Sequence, residues 1–190
     1  MFLESIISVI CFAQPGEQGN RPLFIKNQIT LGTNVVDYIN LATLNIEGSL
    51  AISRHWTLNG GVKLNPWTFN KSKDNQFQNR HFTAGLGFRW WHWYVNSGWF
   101  IGSSLKYMVY NYGGLFNKET YQGEIYGLNG YLGYSLMLNK GWNVEFAAGV
   151  LGGYNSNTKY ICPKCGVPLS SGEQVIIIPD NILVQFVKVF

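Results

Sequence analysis

Cys162-Pro163-Lys164-Cys165-Gly166 is the stretch of this 190-residue chain whose residue types and spacing point most directly to covalent or metal chemistry. Two thiols two residues apart, followed by glycine, form a knuckle that can bite zinc. A structural zinc site takes four ligands, however, and neither a second knuckle nor a nearby histidine completes the set. In an exported protein the same spacing reads as a disulfide between Cys162 and Cys165, with free thiols or a metal shared between molecules as alternatives. No intramolecular metal site and no cofactor is expected.

The histidines offer the next chemistry. His55, His81 and His92 are the full complement, each at the end of an apolar segment. A lipase or deacylase needs a nucleophile, a base and an orienting acid within hydrogen-bond reach. His81 with Ser72 or Glu124 is the best set available, and nothing in the spacing demands that role. The histidines read as interfacial, and the chain as no enzyme.

The elements that would position these residues have a period of two. Leu44, Ile46, Leu50 and Ile52 alternate with Thr43, Asn45, Glu47 and Ser49, the mark of a strand with one apolar face. Seven further segments are read as strands. They are centred on Leu23 to Leu31, Trp56 to Leu64, Phe82 to Trp90, Trp99 to Val109, Tyr126 to Leu138, Trp142 to Val150 and Ile182 to Phe190. The last allows two registers, one of which puts Lys188 on the apolar face with Ile182, Val184 and Phe186, reaching for headgroups. Tight turns are expected at Ser53 to His55, Tyr94 to Gly98 and Asn139 to Gly141. Long loops are expected at Asn34 to Leu41, Pro66 to Asn79, Asn111 to Gln122 and Asn155 to Ile177.

Composition says which side of these strands meets solvent. Charged residues make up 13% of the chain and aromatics 16%, against a usual charged share of about 25%. No run is long and apolar enough for a membrane helix, and the net charge of +4 lacks the clustering of a nucleic-acid face. Alternating strands of crossing length, joined alternately by short and long connections, predict an all-β protein. It would be an eight-stranded antiparallel up-and-down transmembrane β-barrel with short periplasmic turns and long outer loops. Trp56, Trp90, Trp91, Trp93, Trp99 and Trp142 would form a periplasmic belt beside the short turns, and Tyr112, Tyr126 and Tyr154 an outer one. A soluble barrel with its apolar face inward is the competing reading, but six strand charges are too few to cover it.

With the polar face inward, eight strands leave a lumen just wide enough for side chains to fill. Lys26, Glu47, Lys63, Arg89, Lys106 and Glu145 would then share it as an ion network, with Arg89 held by Glu47 or Glu145, because buried charges persist only when paired. Gly61, Gly85, Gly87, Gly127 and Gly133 would make room. Such a plugged lumen argues against a wide pore, though a cation excess leaves a narrow anion path as an alternative. Loop cations Lys71, Lys73, Arg80, Lys118, Lys159 and Lys164, offset by Asp37, Asp74, Glu119 and Glu173, read as a solvated surface touching lipopolysaccharide rather than a site. Residues 1–13 read as a signal peptide ending in Cys11-Phe12-Ala13, shortened at its front because Glu4 is its only charge. Residues 14–190 form the barrel domain. Lipidation of Cys11 is disfavoured by Ile10.

Beyond these readings, Leu44-Asn45-Ile46-Glu47, Asn65-Pro66-Trp67-Thr68-Phe69, Phe88-Arg89-Trp90, Gly98-Trp99-Phe100-Ile101-Gly102, Gly141-Trp142-Asn143-Val144-Glu145 and the late Cys-x-x-Cys together resemble the DUF3575 family of Bacteroidota outer-membrane barrels. The likeness covers nearly the whole mature chain. It departs at Ile178-Pro179-Asp180-Asn181, where family members tend to carry Gly-Pro-Thr-Lys. The resemblance implies a place in the outer membrane and, from the fimbrial loci that often hold such genes, accessory work with fimbriae or a larger envelope complex. It implies no catalytic residues. The expected function is a non-enzymatic structural or assembly protein of the cell envelope, with a narrow solute or ion channel as alternative and a lipid-modifying barrel enzyme behind that.

Overall fold

A computed structural model of the chain describes residues 28–69, 76–113, 119–161 and 166–190. The leader of residues 1–13, Lys26, Ser72, Cys162 and Cys165 lie outside the described residues. The strands are β1 (Ile29–Asn34), β2 (Leu44–Ala51), β3 (Trp56–Asn65), β4 (Thr68–Phe69), β5 (Phe77–Trp91), β6 (Gly98–Gly113), β7 (Thr120–Met137), β8 (Trp142–Tyr160) and β9 (Pro168–Val189). One short helix, α1 (Val35–Ile39), follows β1.

Each long strand pairs antiparallel with its neighbours in sequence, β3 bonds directly to β5, and β9 returns to β1. Eight strands thus close an up-and-down barrel. The ninth, β4, is a two-residue addition on β5 that the alternation did not foretell. Following cross-strand partners from Gly32 through Glu47, Gly61, Gly85, Lys106, Gly127 and Gly153 leads to Ile176, eleven residues along β9 from Val187, the other partner of Gly32. One of the eleven is absorbed by a bulge, so the ring is staggered by ten residues and its strands tilt steeply.

Alternation decides which atoms face out. Leu44, Ile46, Leu86, Phe88, Ile101, Leu105, Leu128, Leu132, Phe146 and Val150 are exposed on the outer surface, while Thr57, Asn59, Arg89, Asn129, Ser135 and Glu145 are buried inside. On β9, Ile182, Phe186 and Phe190 face out and Leu183, Gln185 and Val187 face in. Lys188 therefore shares the apolar face, and its Nζ lies 5.1 Å from the centroid of the Trp142 ring.

Three expectations are corrected. Trp91 is 0% exposed, points into the lumen and donates from Nε1 to Thr57 Oγ1 at 3.1 Å. Adjacent strand residues face opposite ways, so Trp90 and Trp91 cannot share a belt. Tyr112 likewise faces in, stacked on Tyr110 at 5.1 Å; the outward row is Tyr107, Tyr126 and Tyr154, cross-strand partners in sequence. The last two loops are shorter than expected, because strands run on through Gly113, Thr120, Tyr160 and Pro168. Those extensions lack apolar alternation, yet backbone pairing needs none where both faces are polar.

Candidate functional site

The lumen is layered. Nearest the short turns, Trp91, Phe100 and Tyr131 form an aromatic floor around Arg89, whose Cζ lies 5.1 Å from the Phe100 ring centroid and 5.6 Å from that of Tyr131. Glycine permits the crowding: a Cβ on Gly102 or Gly133 would collide with the Tyr131 or Phe100 ring. Arg89 donates from Nη1 to Glu145 Oε2 at 2.9 Å, from Nη2 to Glu47, and from Nε to Tyr131 Oη at 3.0 Å. Ser135 and Asn143 extend the network to the turn carbonyl of Asn96, which Asn143 reaches at 2.7 Å.

The middle layer depends on the bulge in β9. Asn181 takes a left-handed backbone with φ of 50°, and the register slips between Ala147 and Gly149. Above this point Ile176 and Ile178 pack inward, and below it Leu183 and Gln185 do. The parity change lets two consecutive residues, Asp180 and Asn181, both reach Lys106: its Nζ donates to Asp180 and, at 2.6 Å, to Asn181 Oδ1. Asn129 Nδ2, two strands away on β7, donates to Asp180 Oδ2 at 2.8 Å and fixes the carboxylate.

At the long-loop end, α1 folds over the lumen. Lys63 Nζ donates to Asp37 Oδ1 at 3.0 Å and lies 2.8 Å from Oδ2 in the ion pair. Asn34 caps the helix by accepting Val36 N–H at 3.2 Å. The Asn45 side chain clasps the Asn34 backbone on both sides, Oδ1 accepting N–H at 2.6 Å and Nδ2 donating to the carbonyl at 3.0 Å. Among the described residues, lumen cations Lys63, Arg89 and Lys106 thus face four carboxylates, those of Asp37, Glu47, Glu145 and Asp180. The cation excess counted from the strands disappears because two acids arrive from outside the alternating segments.

The histidine set does not assemble. His81 points inward at the loop end, edge-on to Tyr112 at 6.0 Å, with Nδ1 buried and unpartnered. Burial lowers its pKa first, Lys63 adds to the effect, and Asp37 opposes it. Glu124 instead faces outward, accepting from Tyr107 Oη at 2.9 Å and Tyr126 Oη at 2.7 Å. The barrel wall separates the two. His55 and His92 lie at the short turns with Arg54, Trp93 and Tyr94, and His55 Nδ1 lies 3.0 Å from the Trp91 carbonyl. No group of three potential metal ligands occurs among the described residues.

A family model described as "Protein of unknown function (DUF3575)" matches residues 6–190 of the chain. The chain belongs to the DUF3575 family. Neither a curated protein nor a solved structure matches it. Within this DUF3575 barrel, Asp37, Asp180, Tyr131 and Asn96 are the lumen partners that strand alternation alone missed. Tyr131 was within reach of it, since its parity is that of Asn129 and Gly133. Asp37 and Asp180 sit where a helix or a bulge breaks the period and carry no such signal.

Proposed function

We infer that this DUF3575 protein is a non-enzymatic barrel of the outer membrane, acting as a structural or assembly protein of the cell envelope. The observation carrying that reading is the pairing of a predominantly apolar outer surface with an ion-paired lumen. Exposed apolar patches on soluble monomers rarely exceed a few hundred Å², whereas here every strand of the ring contributes apolar side chains to one continuous band. Trp56, Trp90, Trp99 and Trp142 border it at the short turns and Tyr107, Tyr126 and Tyr154 at the long loops. These are the positions of the aromatic girdles that flank a lipid-facing band about 25 Å tall. The membrane-crossing part of β5 is then Phe82–Trp90. Lipid and lipopolysaccharide are its immediate surroundings. A larger envelope complex or fimbrial components are the partners consistent with the family resemblance.

The test is fractionation with outer membranes and migration on gels that shifts on heating. A soluble chain whose migration ignores heating would overturn the reading. The narrow-channel alternative draws on a cavity inside the ring, about 60 Å³ in volume. Planar-bilayer recording separates the two: the structural reading expects no discrete conductance steps, because Arg89, Lys106 and Lys63 are each held across the lumen by carboxylates.

A further inference from the structure

The barrel wall has a low side. β1 makes its last pair with β9 at Asn34 and Gln185, while β9 continues to Pro168 with β8 as its strand neighbour. On the other flank β2 starts only at Leu44 and β3 stops at Asn65. The ten-residue stagger sets the rising part of β9 beside these shortest strands. In hydrocarbon an open strand edge is untenable, since its N–H and C=O groups find no partner. What fills the gap is α1, packed against β9 and β2.

This filling is amphipathic and lightly built. Ile39 is 81% exposed and Val35 and Tyr38 also face out, while Asp37 turns inward to Lys63. Just past Asn40, Leu41 and Ala42 both hold left-handed backbones, with φ of 51° and 53°, a conformation that side chains with Cβ adopt at a cost. Side-chain amides, not a β-ladder, hold the segment: Asn65 Nδ2 reaches Thr43 Oγ1 at 2.9 Å and the Asn40 carbonyl at 3.3 Å.

The cavity of about 60 Å³ lies directly behind this gap, lined by Asn34, Asp37, Asn59, Lys63, Lys106 and Gln185 among others. Three of its amides carry a buried atom with no hydrogen-bond partner: Asn34 Nδ2, Asn59 Oδ1 and Gln185 Oε1. Each of these residues is itself more than nine-tenths buried. The charges around the cavity are already paired, Lys63 with Asp37, Lys106 with Asp180 and Glu47 with Arg89. Asp37 Oδ2 also lacks a hydrogen bond but lies 2.8 Å from Lys63 Nζ as its ion-pair partner, so the capacity left outside the ion pairs is neutral, one donor and two acceptors. A hydroxyl both donates and accepts, and the volume suits on the order of two waters or the terminal diol of a glycerol.

We propose that the gap between β9 and β2 is a side entrance through which a monoacylglycerol-type amphiphile seats its hydroxyl-bearing head in this cavity, its acyl chain lying on the apolar band. An anionic or ammonium head would find the complementary charges taken. A membrane amphiphile is favoured over a free polyol because the gap is bordered by exposed Leu44, Ile46, Ile39 and Ile182, a continuous surface for a chain. The proposal rests on the membrane reading above, and the two fail separately.

The full barrel is refolded into dodecylphosphocholine micelles, its heat-shifted migration is checked, and 1-monolauroylglycerol, lauric acid and free glycerol are titrated against it. Native mass spectrometry and amide exchange over α1 are the readouts. The expected result is one monolauroylglycerol retained per barrel, slower exchange at Val36 to Thr43, and weaker retention of lauric acid and glycerol by about tenfold or more. Gln185→Leu removes an unpartnered amide, and Thr83→Leu, at a further residue lining the cavity, fills it; both are expected to keep the heat shift and to lose retention by about tenfold. A heat-shifting barrel that retains no monolauroylglycerol, or retains glycerol equally well, or binds unchanged in both variants, overturns the side entrance. Loss of the heat shift in the native chain overturns the membrane reading itself, and the side entrance with it.

Discussion

Arg89 and Glu145 stand 56 residues apart in the chain and meet at 2.9 Å inside the barrel, both almost wholly buried. Glu47 closes on the same guanidinium from the other side. Removing one member of a buried pair strands the remaining charge, a loss of about 3 to 5 kcal/mol. Arg89→Met is expected at the upper end of that range, because it leaves two carboxylates facing each other, and Glu145→Gln at or below the lower end, because Glu47 remains. Replacing all three as Arg89→Met, Glu47→Leu and Glu145→Leu should recover much of the loss, since apolar groups of similar volume often match a buried ion pair. Equilibrium urea unfolding in lipid vesicles checks the order. A triple variant weaker than Arg89→Met would show that the network does more than neutralise itself.

The bulge at Asn181 makes a different demand. Because the side-chain period is two, deleting that residue slips β9 above it by one position and turns every side chain there to the other face. Ile176 and Ile178 would leave the interior cluster with Tyr110, Ile125 and Leu151 for the outer surface, and Asp180 would lose Lys106. A lone tryptophan at position 178, with the native tryptophans replaced by Phe, should keep its fluorescence in vesicles of brominated lipid in the parent and lose it once Asn181 is deleted, because the slip turns it onto the outer surface beside Val150. Equal quenching in both would mean that the register is set elsewhere.

Much of the barrel was legible because a strand with one apolar and one polar face obeys a strict rule of alternation. Period two alone places Glu47, Arg89 and Glu145 on one face and Leu44, Phe88 and Phe146 on the other. The same rule, applied to aromatics, separates Trp90 from Trp91 and brings Tyr131 inside; grouping tryptophans by nearness to turns obscured it. Asp37 reaches the lumen through a five-residue helix that returns over the barrel, and Asp180 through a bulge that resets parity. Neither event has a local periodic signature. The upper hairpins were read as loops because Ser156 to Tyr160 and Pro168 to Gln174 are polar on both faces, so their pairing shows only in three dimensions.

His81 provides the pH test. It sits one residue above the apolar-alternating stretch Phe82–Trp90 of β5, at the long-loop end, and burial followed by Lys63 lowers its pKa below the ordinary value of 6.5, against a smaller opposing effect of Asp37. The unfolded chain therefore binds the proton first as pH falls. Stability is fully present above about pH 6.5 and declines through the interval down to the folded pKa. His81→Gln should flatten the pH dependence of unfolding across that interval, and imidazole NMR should place the His81 midpoint below 6.5. A midpoint above 6.5 would show that Asp37 outweighs burial and reverse the direction of the stability change.

Tryptophan position tests the membrane reading residue by residue. Trp56, Trp90, Trp99 and Trp142 expose their rings on the outer surface near the short turns, whereas Trp91 is sealed inside and bonded to Thr57. In vesicles of lipids brominated along the acyl chain, single-tryptophan variants retaining any of the first four should lose fluorescence to the neighbouring bromines. The variant retaining only Trp91 should keep it, because the strand wall and the side chains around Arg89 stand between its indole and the lipid. Trp142 should also respond to Lys188→Leu, which removes the ammonium 5.1 Å from its ring and lets the indole shift within the interface, a contact worth about 0.5 to 1 kcal/mol at an exposed site. Quenching of Trp91 on a par with the outer four would place it in lipid and invert the inward and outward faces of β5. Absence of quenching in all five would remove the bilayer from around the apolar band.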